Sequence, residues 1–384
     1  MINLHAKKPL GVYVHIPFCI KKCNYCDFIS YATDSNIQSK SKLRYMHRIK
    51  EELEQYSALY REKYIIDSIY YGGGTPTTVD AHMYSMSNKW INNAFTNANI
   101  VESTIEANPG TLDSHQIYWI QKAGFNRISL GVQSLDDTIL KRLGRIHNSS
   151  EANDSYMKLK KITDNINVDL IFGLPGQTLA IWKETLKGVL NWDPAHISFY
   201  SLQLEEGTPF YEEYKNREMD LPSWDDNRSM YRLAVDMIKA QGYNHYEVSN
   251  AAKPGYECRH NMKYWTMQDY LGLGISSHSY LDGVRHANTS GLEDYLSGKF
   301  YGKAQTQGRN DKIGDYLFTE LRQIKGFELL DYRQRFGADF MTDHNIAAEL
   351  MILEGFLEIY QGNIRFTSKG LDNTNHVIKK LLDA

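Results

Sequence analysis

His15-Ile-Pro-Phe-Cys-Ile-Lys-Lys-Cys-Asn-Tyr-Cys-Asp-Phe28 carries three of the chain's four cysteines, Cys19, Cys23 and Cys26, in a C-x3-C-x2-C spacing. Thiolate is the soft ligand that cubane iron prefers, so three thiolates this close can hold three corners of a 4Fe–4S cluster. The fourth iron is then left without a cysteine and can bind a substrate. A disulfide framework is a poor reading, because three clustered cysteines cannot pair off and Cys258 is far away in sequence. Met1 to Lys8 is short and polar, so no apolar signal segment is expected ahead of the loop, and sparse cysteine suits a reducing cytosol. Zinc is the rival, with Asp27 or a histidine as fourth ligand. Structural zinc sites, however, usually come as two short ligand pairs, and the sequence shows no second pair. An electron-transfer ferredoxin would want a fourth cysteine at fixed spacing.

Working outward, the loop follows an apolar run at 11–15, the first of six. The others are 68–71, 103–106, 127–130, 167–171 and 196–200, with amphipathic helical patterns between them. Residues 42–59 place Leu43, Met46, Ile49 and Leu53 on one stripe. Residues 112–123 stop at Gly124. Residues 135–143 have Ser134 as expected N-cap, Asp137 at the capping-box position and Gly144 after the end, and 178–190 follow another cap. Six strand–helix units imply a parallel sheet with right-handed crossovers. Six are fewer than the eight of a closed barrel, so the expected fold is α/β, a partial (β/α)6 TIM-like barrel with function at the C-terminal strand ends.

The 384 residues suggest two or three domains, with the barrel over 1–224 and an extension over 225–305. The extension begins with a long helix at 225–242 and reads as loop-rich to about Phe300. The rest, 306–384, has helices at 313–324 and 341–353 and a hairpin of 356–360 with 363–367, which predicts a winged-helix-like α+β module. That module lacks a concentrated basic face, and the formal charge is only −3, so no nucleic-acid partner is expected. No apolar run approaches a membrane span.

Further motifs sit at the expected strand ends. Tyr71-Gly-Gly-Gly-Thr-Pro76 lets backbone approach a ligand closely, and its N–H groups and the Thr75 hydroxyl can grip polar atoms. Glu106 ends the third expected strand and Gln133 the fourth, Arg145 follows the next helix, and Asp169 lies in the fifth strand. Each alone could be a cap or a surface residue; together they are what a ligand-lined barrel mouth needs. An adenosyl ligand offers a carboxylate for Arg145, an ammonium for Glu106 and ribose hydroxyls for Gln133 or Asp169. A second constellation is Cys258-Arg-His-Asn-Met-Lys-Tyr-Trp265. A histidine beside aromatics can ligate heme iron. By composition alone, His260 is more ordinarily a half-buried histidine hydrogen-bonded in a polar loop, and Cys258 a lone structural cysteine.

Taken together these residues resemble the radical SAM superfamily and, within it, the coproporphyrinogen oxidase-like family. The matching runs are 13–19, the cysteine triad, 72–76, 106–109, 131–134, 144–147 and 169–177. The resemblance implies a 4Fe–4S cluster whose open iron is chelated by S-adenosylmethionine (SAM). It implies that SAM contacts fall on Tyr13, Tyr25, Gly73, Gly74, Thr75, Glu106, Gln133, Arg145 and Asp169. Two branches differ at the loop. The oxidase branch, which decarboxylates coproporphyrinogen III, has a further cysteine two residues after the triad and a longer N-terminal segment. Here Asp27-Phe28 follows Cys26, and eighteen residues precede Cys19. The run Cys23-Asn-Tyr-Cys-Asp-Phe28 and the motif His260-Asn-Met-Lys-Tyr-Trp265 are similar instead to the heme chaperone branch, the HemW family. That branch implies heme bound through His260 and passed to an acceptor hemoprotein of the respiratory kind. It also implies a small electron-donor protein such as flavodoxin or ferredoxin, and a cytoplasmic location with room for peripheral membrane association and a homodimer.

Overall fold

The structure, a computed structural model, describes residues 7–32, 39–95, 100–305 and 307–383. Six parallel strands form its centre: β1 (Lys8–Ile16), β2 (Tyr64–Gly73), β3 (Glu102–Ala107), β4 (Arg127–Gln133), β5 (Ile166–Phe172) and β6 (His196–Ser201). They pair in that order, β1 with β2 through β5 with β6. Every expected strand is present, lengthened by up to four residues at an end.

Both faces of these strands are buried, for different reasons. Alternate residues such as Val12, Val14, Ile69, Ile105, Ile128, Leu130, Val168, Leu170 and Ile197 are fully buried in the main core. The helices Ser39–Tyr60, Ser149–Leu159 and Leu179–Trp192 contribute Met46, Ile49, Leu53, Tyr156, Leu159, Trp182 and Leu186 to it. Leu43, expected on that stripe, lies 45% exposed near the start of the first helix. The opposite set, His15, Ser68, Tyr70, Glu106, Ser129, Asn167, Asp169 and His196, is polar. Its members satisfy one another: Asn167 donates to Ser129 and Asp169, Ser129 Oγ donates to Asp169, and His196 Nδ1 bonds Asn167. A polar interior of this kind is affordable only when such groups are hydrogen-bonded.

Several sequence expectations need correction. The helix after β4 spans Asp137–Arg142 and is capped by Asp136, which accepts from the Ile139 N–H, not by Ser134. Ser134 instead accepts from Asp136 N, and Asp137 accepts from Ser149 N, tying this helix to the next. The stretch read as loop-rich, 243–300, supplies strands to the sheet. Asn250–Ala252 and Asn244–Glu247 extend it antiparallel beyond β6, and Tyr270–Leu273 runs parallel to β1. His278–Leu281, Val284–Asn288 and Tyr301–Gln305 continue from there antiparallel. They are three to five residues long and punctuated by glycine, so periodicity could not reveal them.

Residues from Arg309 onward have their own core, including Tyr316, Leu317, Phe327, Tyr332, Phe340, Met351, Ile364 and Val377. The hairpin is Leu357–Tyr360 with Asn363–Phe366, joined by a third strand at Phe327–Glu328. The helix expected over 341–353 is broken into Phe340–Asp343 and Asn345–Leu353 at His344, whose ring turns into the core and bonds the Leu381 carbonyl. Among the described residues no helix is long and apolar enough to cross a membrane.

Candidate functional site

The C-terminal ends of β2 to β6 and the cysteine loop enclose a cavity of about 480 Å³. Cys19, Cys23, Cys26, Tyr25, Gly73, Gly74, Thr75, Glu106, Gln133, Arg145 and Asp169 all line it. Tyr13 and His260 do not; the Tyr13 ring lies 6.2 Å from that of Tyr70, which does.

Backbone hydrogen bonds anchor the loop, with Phe18 buried in the main core and Tyr25 packed against a smaller apolar cluster. Pro17 C=O accepts from Tyr31 N, Asn24 N donates to Leu143 O, and Asn24 O accepts from Phe210 N. These bonds hold the three thiols partly exposed on the cavity wall. Among the described residues no three His, Cys, Asp or Glu side chains are grouped to hold a metal ion. Burial pushes the Cys26 thiol up to about 11 and raises Cys19 as well. Donors already point at sulfur: Thr75 Oγ1 to Cys19 Sγ and Arg145 Nη1 to Cys23 Sγ, each at 3.6 Å. Donors of this sort favour thiolates, the form that binds iron.

The glycine run lines the cavity, and its backbone donors are engaged within the fold. Gly74 N and Thr75 N donate to Ile16 O and Phe18 O, and Gly73 N to Glu106 Oε2. Gly73 has φ +105°, and a Cβ there would sit 2.5 Å from His15 Nδ1. Gly73→Ala is therefore expected to cost about 1–3 kcal/mol of backbone strain, before any cost of displacing His15. A chemical melt with a wild-type midpoint would contradict this.

The polar wall is built around Glu106 and Arg145. Tyr70 OH donates to Glu106 Oε1 at 2.9 Å. Burial, followed by the charge of Asp169, pushes Glu106 up to about 7. Arg145 bonds Asn108 Oδ1 and the Gly131 carbonyl. Burial works against its charge, but the neighbouring Tyr25 and Cys23 raise its pKa overall. Its Nε is buried without a partner, a donor left over for a ligand carboxylate. Gln133 ends β4 at φ +69° beside a register shift against β5, a bulge that re-aims the strand end. Cavity-lining Tyr70, Asn108, Ser129 and Tyr200 escaped the sequence reading. Asn108 lies in a quoted motif, and Tyr70 and Tyr200 alternate with core residues, which was the available signal. Three thiols with directed donors, an unpartnered guanidinium nitrogen and a raised carboxyl in one cavity match a cluster bound by three cysteines beside an amino-acid ligand.

His260 lies at the other end of the barrel, on the helix Arg259–Trp265, with 0% exposure. Its Nδ1 bonds Ser68 Oγ at 3.0 Å and its Nε2 bonds Tyr264 OH at 2.9 Å. Burial, then Lys263 and Arg127, lowers its pKa to about 3, so the imidazole is neutral. In this conformation neither ring nitrogen is free for a metal. This is the hydrogen-bonded histidine that composition suggested, but fully buried and on a helix. Cys258 beside it is also fully buried, its thiol donating to Glu102 Oε1.

The family model of the radical SAM superfamily matches residues 13–188. A heme chaperone HemW of Buchnera aphidicola subsp. Schizaphis graminum is 36% identical over 83% of this chain and 84% of its own length. HemW of Lactococcus lactis is 34% identical over 98% of both. Among solved structures, coproporphyrinogen III oxidase (HemN) of Escherichia coli superposes with a TM-score of 0.84 over 99% of this chain and 91% of its own, at 22% identity. That last likeness shows the fold alone. The superfamily implies a 4Fe–4S cluster and SAM, which the cavity's donor set fits. The chain belongs to the radical SAM superfamily and, within it, to the HemW family.

Proposed function

We propose that the chain is a heme chaperone, binding heme and passing it to an acceptor hemoprotein, with a cluster held by Cys19, Cys23 and Cys26. The observation that carries this reading is the near-full-length similarity to relatives named for that role. SAM, when bound, chelates the open iron and supplies one-electron chemistry. Arg145 would take its carboxylate through the unpartnered Nε, Glu106 its amino group, and Gln133 and Asp169 its ribose. Tyr25, Gly73, Gly74 and Thr75 would line the adenosyl path, and Tyr13 would support that wall through Tyr70. Asp27-Phe28 in place of a further cysteine argues against porphyrinogen decarboxylation.

Because Glu106 is held near 7, it is largely neutral below that pH and ionised above it. SAM affinity is expected to strengthen as pH rises through about 7, and Glu106→Gln to be weaker and flat across the same range. A wild-type binding curve flat through neutrality would contradict the pairing.

Heme ligation by His260 requires the helix Arg259–Trp265 to draw away from Ser68 on β2, or the ring to rotate off the Tyr264 hydroxyl carried by the same helix. Its neutral imidazole is the form that binds iron. The test is a heme titration of anaerobically reconstituted protein. Wild type should give a Soret shift that weakens in His260→Ala, while SAM, reductant and coproporphyrinogen III give no protoporphyrinogen. Equal binding would remove His260 from the site, and clear turnover would replace the chaperone reading with the oxidase.

A further inference from the structure

A continuous file of aromatic rings leaves the cavity and runs across the barrel. Tyr70 lines the cavity, and its ring centroid lies 5.4 Å from that of His260. His260 is 5.3 Å from Tyr264, Tyr264 is 4.7 Å from Tyr270, and Tyr270 is 6.4 Å from Tyr280. Tyr280 is only partly buried and lies on the antiparallel strand His278–Leu281 at the sheet's flank. The two inner phenols each meet a base: Tyr70 OH donates to Glu106, and Tyr264 OH bonds His260 Nε2. Packing alone would be served by phenylalanine, because a buried phenol without a partner is costly.

We propose that Tyr70, His260, Tyr264, Tyr270 and Tyr280 form a proton-coupled electron relay that discharges a radical formed in the cavity. The relay rests on the cluster-and-SAM part of the reading, not on heme carriage. The oxidant is the primary carbon radical of one-electron SAM cleavage. Tyr70 gives it a hydrogen atom: the ligand C–H bond forms, the Tyr70 O–H bond breaks, and a phenoxyl remains. An electron from Tyr264 crosses His260 to refill Tyr70, which regains a proton from Glu106; Glu106 is reprotonated from solvent at the cavity mouth, and the Tyr264 proton passes to His260 Nε2 and returns to Tyr264 when Tyr270 supplies the next electron. Tyr270 and then Tyr280 repeat the transfer outward, releasing and regaining protons at solvent. A thiol in solution closes the sequence, giving an electron and a proton and ending as half of a disulfide. Net, one hydrogen atom travels from thiol to cavity radical.

The reconstituted holoprotein, reduced and mixed with SAM, is freeze-quenched for EPR, with 5′-deoxyadenosine measured in the same samples. Wild type should show an organic radical that narrows when tyrosine is ring-deuterated. Tyr70→Phe should lose it. Tyr270→Phe should form 5′-deoxyadenosine as wild type does but hold a longer-lived radical, stalled at Tyr264. A wild-type sample that forms 5′-deoxyadenosine without a tyrosyl signal overturns the relay and leaves the SAM reading standing. So does a signal unchanged in both variants. Absence of 5′-deoxyadenosine removes the relay's oxidant and overturns both. Heme titration of the same preparations reports separately on the chaperone reading.

Discussion

Reconstituted Cys23→Ala is expected to hold almost no cluster, with iron falling from about four per chain toward zero and the brown absorption lost. Three thiols are the protein's entire contribution to the cluster in this reading, so no spare ligand can substitute. Cys23 is also the sulfur that Arg145 meets, and its removal leaves that guanidinium facing an unfilled wall. Cys258→Ala is the matching control. Cys258 is fully buried at the far end of the barrel, hydrogen-bonded to Glu102, and does not line the cavity. It should keep its iron. An iron-replete Cys23→Ala, or an iron-free Cys258→Ala, would overturn the assignment of the triad.

Glu102→Ala should be the most destabilising single change outside the cluster. Glu102 starts β3 and is 4% exposed. Its Oε1 accepts from His260 N at 3.0 Å and its Oε2 from Arg259 N at 2.9 Å, so it caps the helix Arg259–Trp265 from another strand. Arg127, 1% exposed, has Nε and Nη1 without partners. Burial opposes its charge, while its acidic neighbours Cys258 and Glu102 raise its pKa, Glu102 being the one that carries a carboxylate. Removing Glu102 strips two buried N–H groups and a buried cation of their counterpart at once. Loss of one partner of such a set typically costs about 3–5 kcal/mol. Arg127→Met in the same background should recover part of the loss, because the uncompensated charge goes with it. Denaturant midpoints of the single and double variants measure this. A Glu102→Ala midpoint equal to wild type would show that the capping contacts carry no stability.

The barrel was legible because its six strands are apolar on one face and are followed by helices with clear stripes and stops. The cavity was legible because a parallel barrel puts its chemistry at the strand ends. Cys19, Glu106, Arg145 and Asp169 can therefore be gathered from the sequence. Other features were not legible. The flanking strands around Asn250 and Tyr280 are too short for a period to register. The polar interior built on Arg127, Asn167 and His196 reads like scattered surface residues in a linear sequence, since only the fold brings them together. The burial of His260 follows from Gly11 and Ser68 on neighbouring strands, residues with no mark of a binding site. The N-cap at Asp136 was missed because Ser134 offered an equally good capping side chain two residues earlier.

Heme transfer tests the central claim most directly. Holoprotein loaded with heme under anaerobic conditions is mixed with an apo-hemoprotein whose Soret band is distinct, and both bands are followed with time. A heme carrier should bind about one heme per chain and lose it to the acceptor as the acceptor band grows. Failure to bind heme stoichiometrically, or retention of it in the presence of excess apo-acceptor, would contradict the chaperone function.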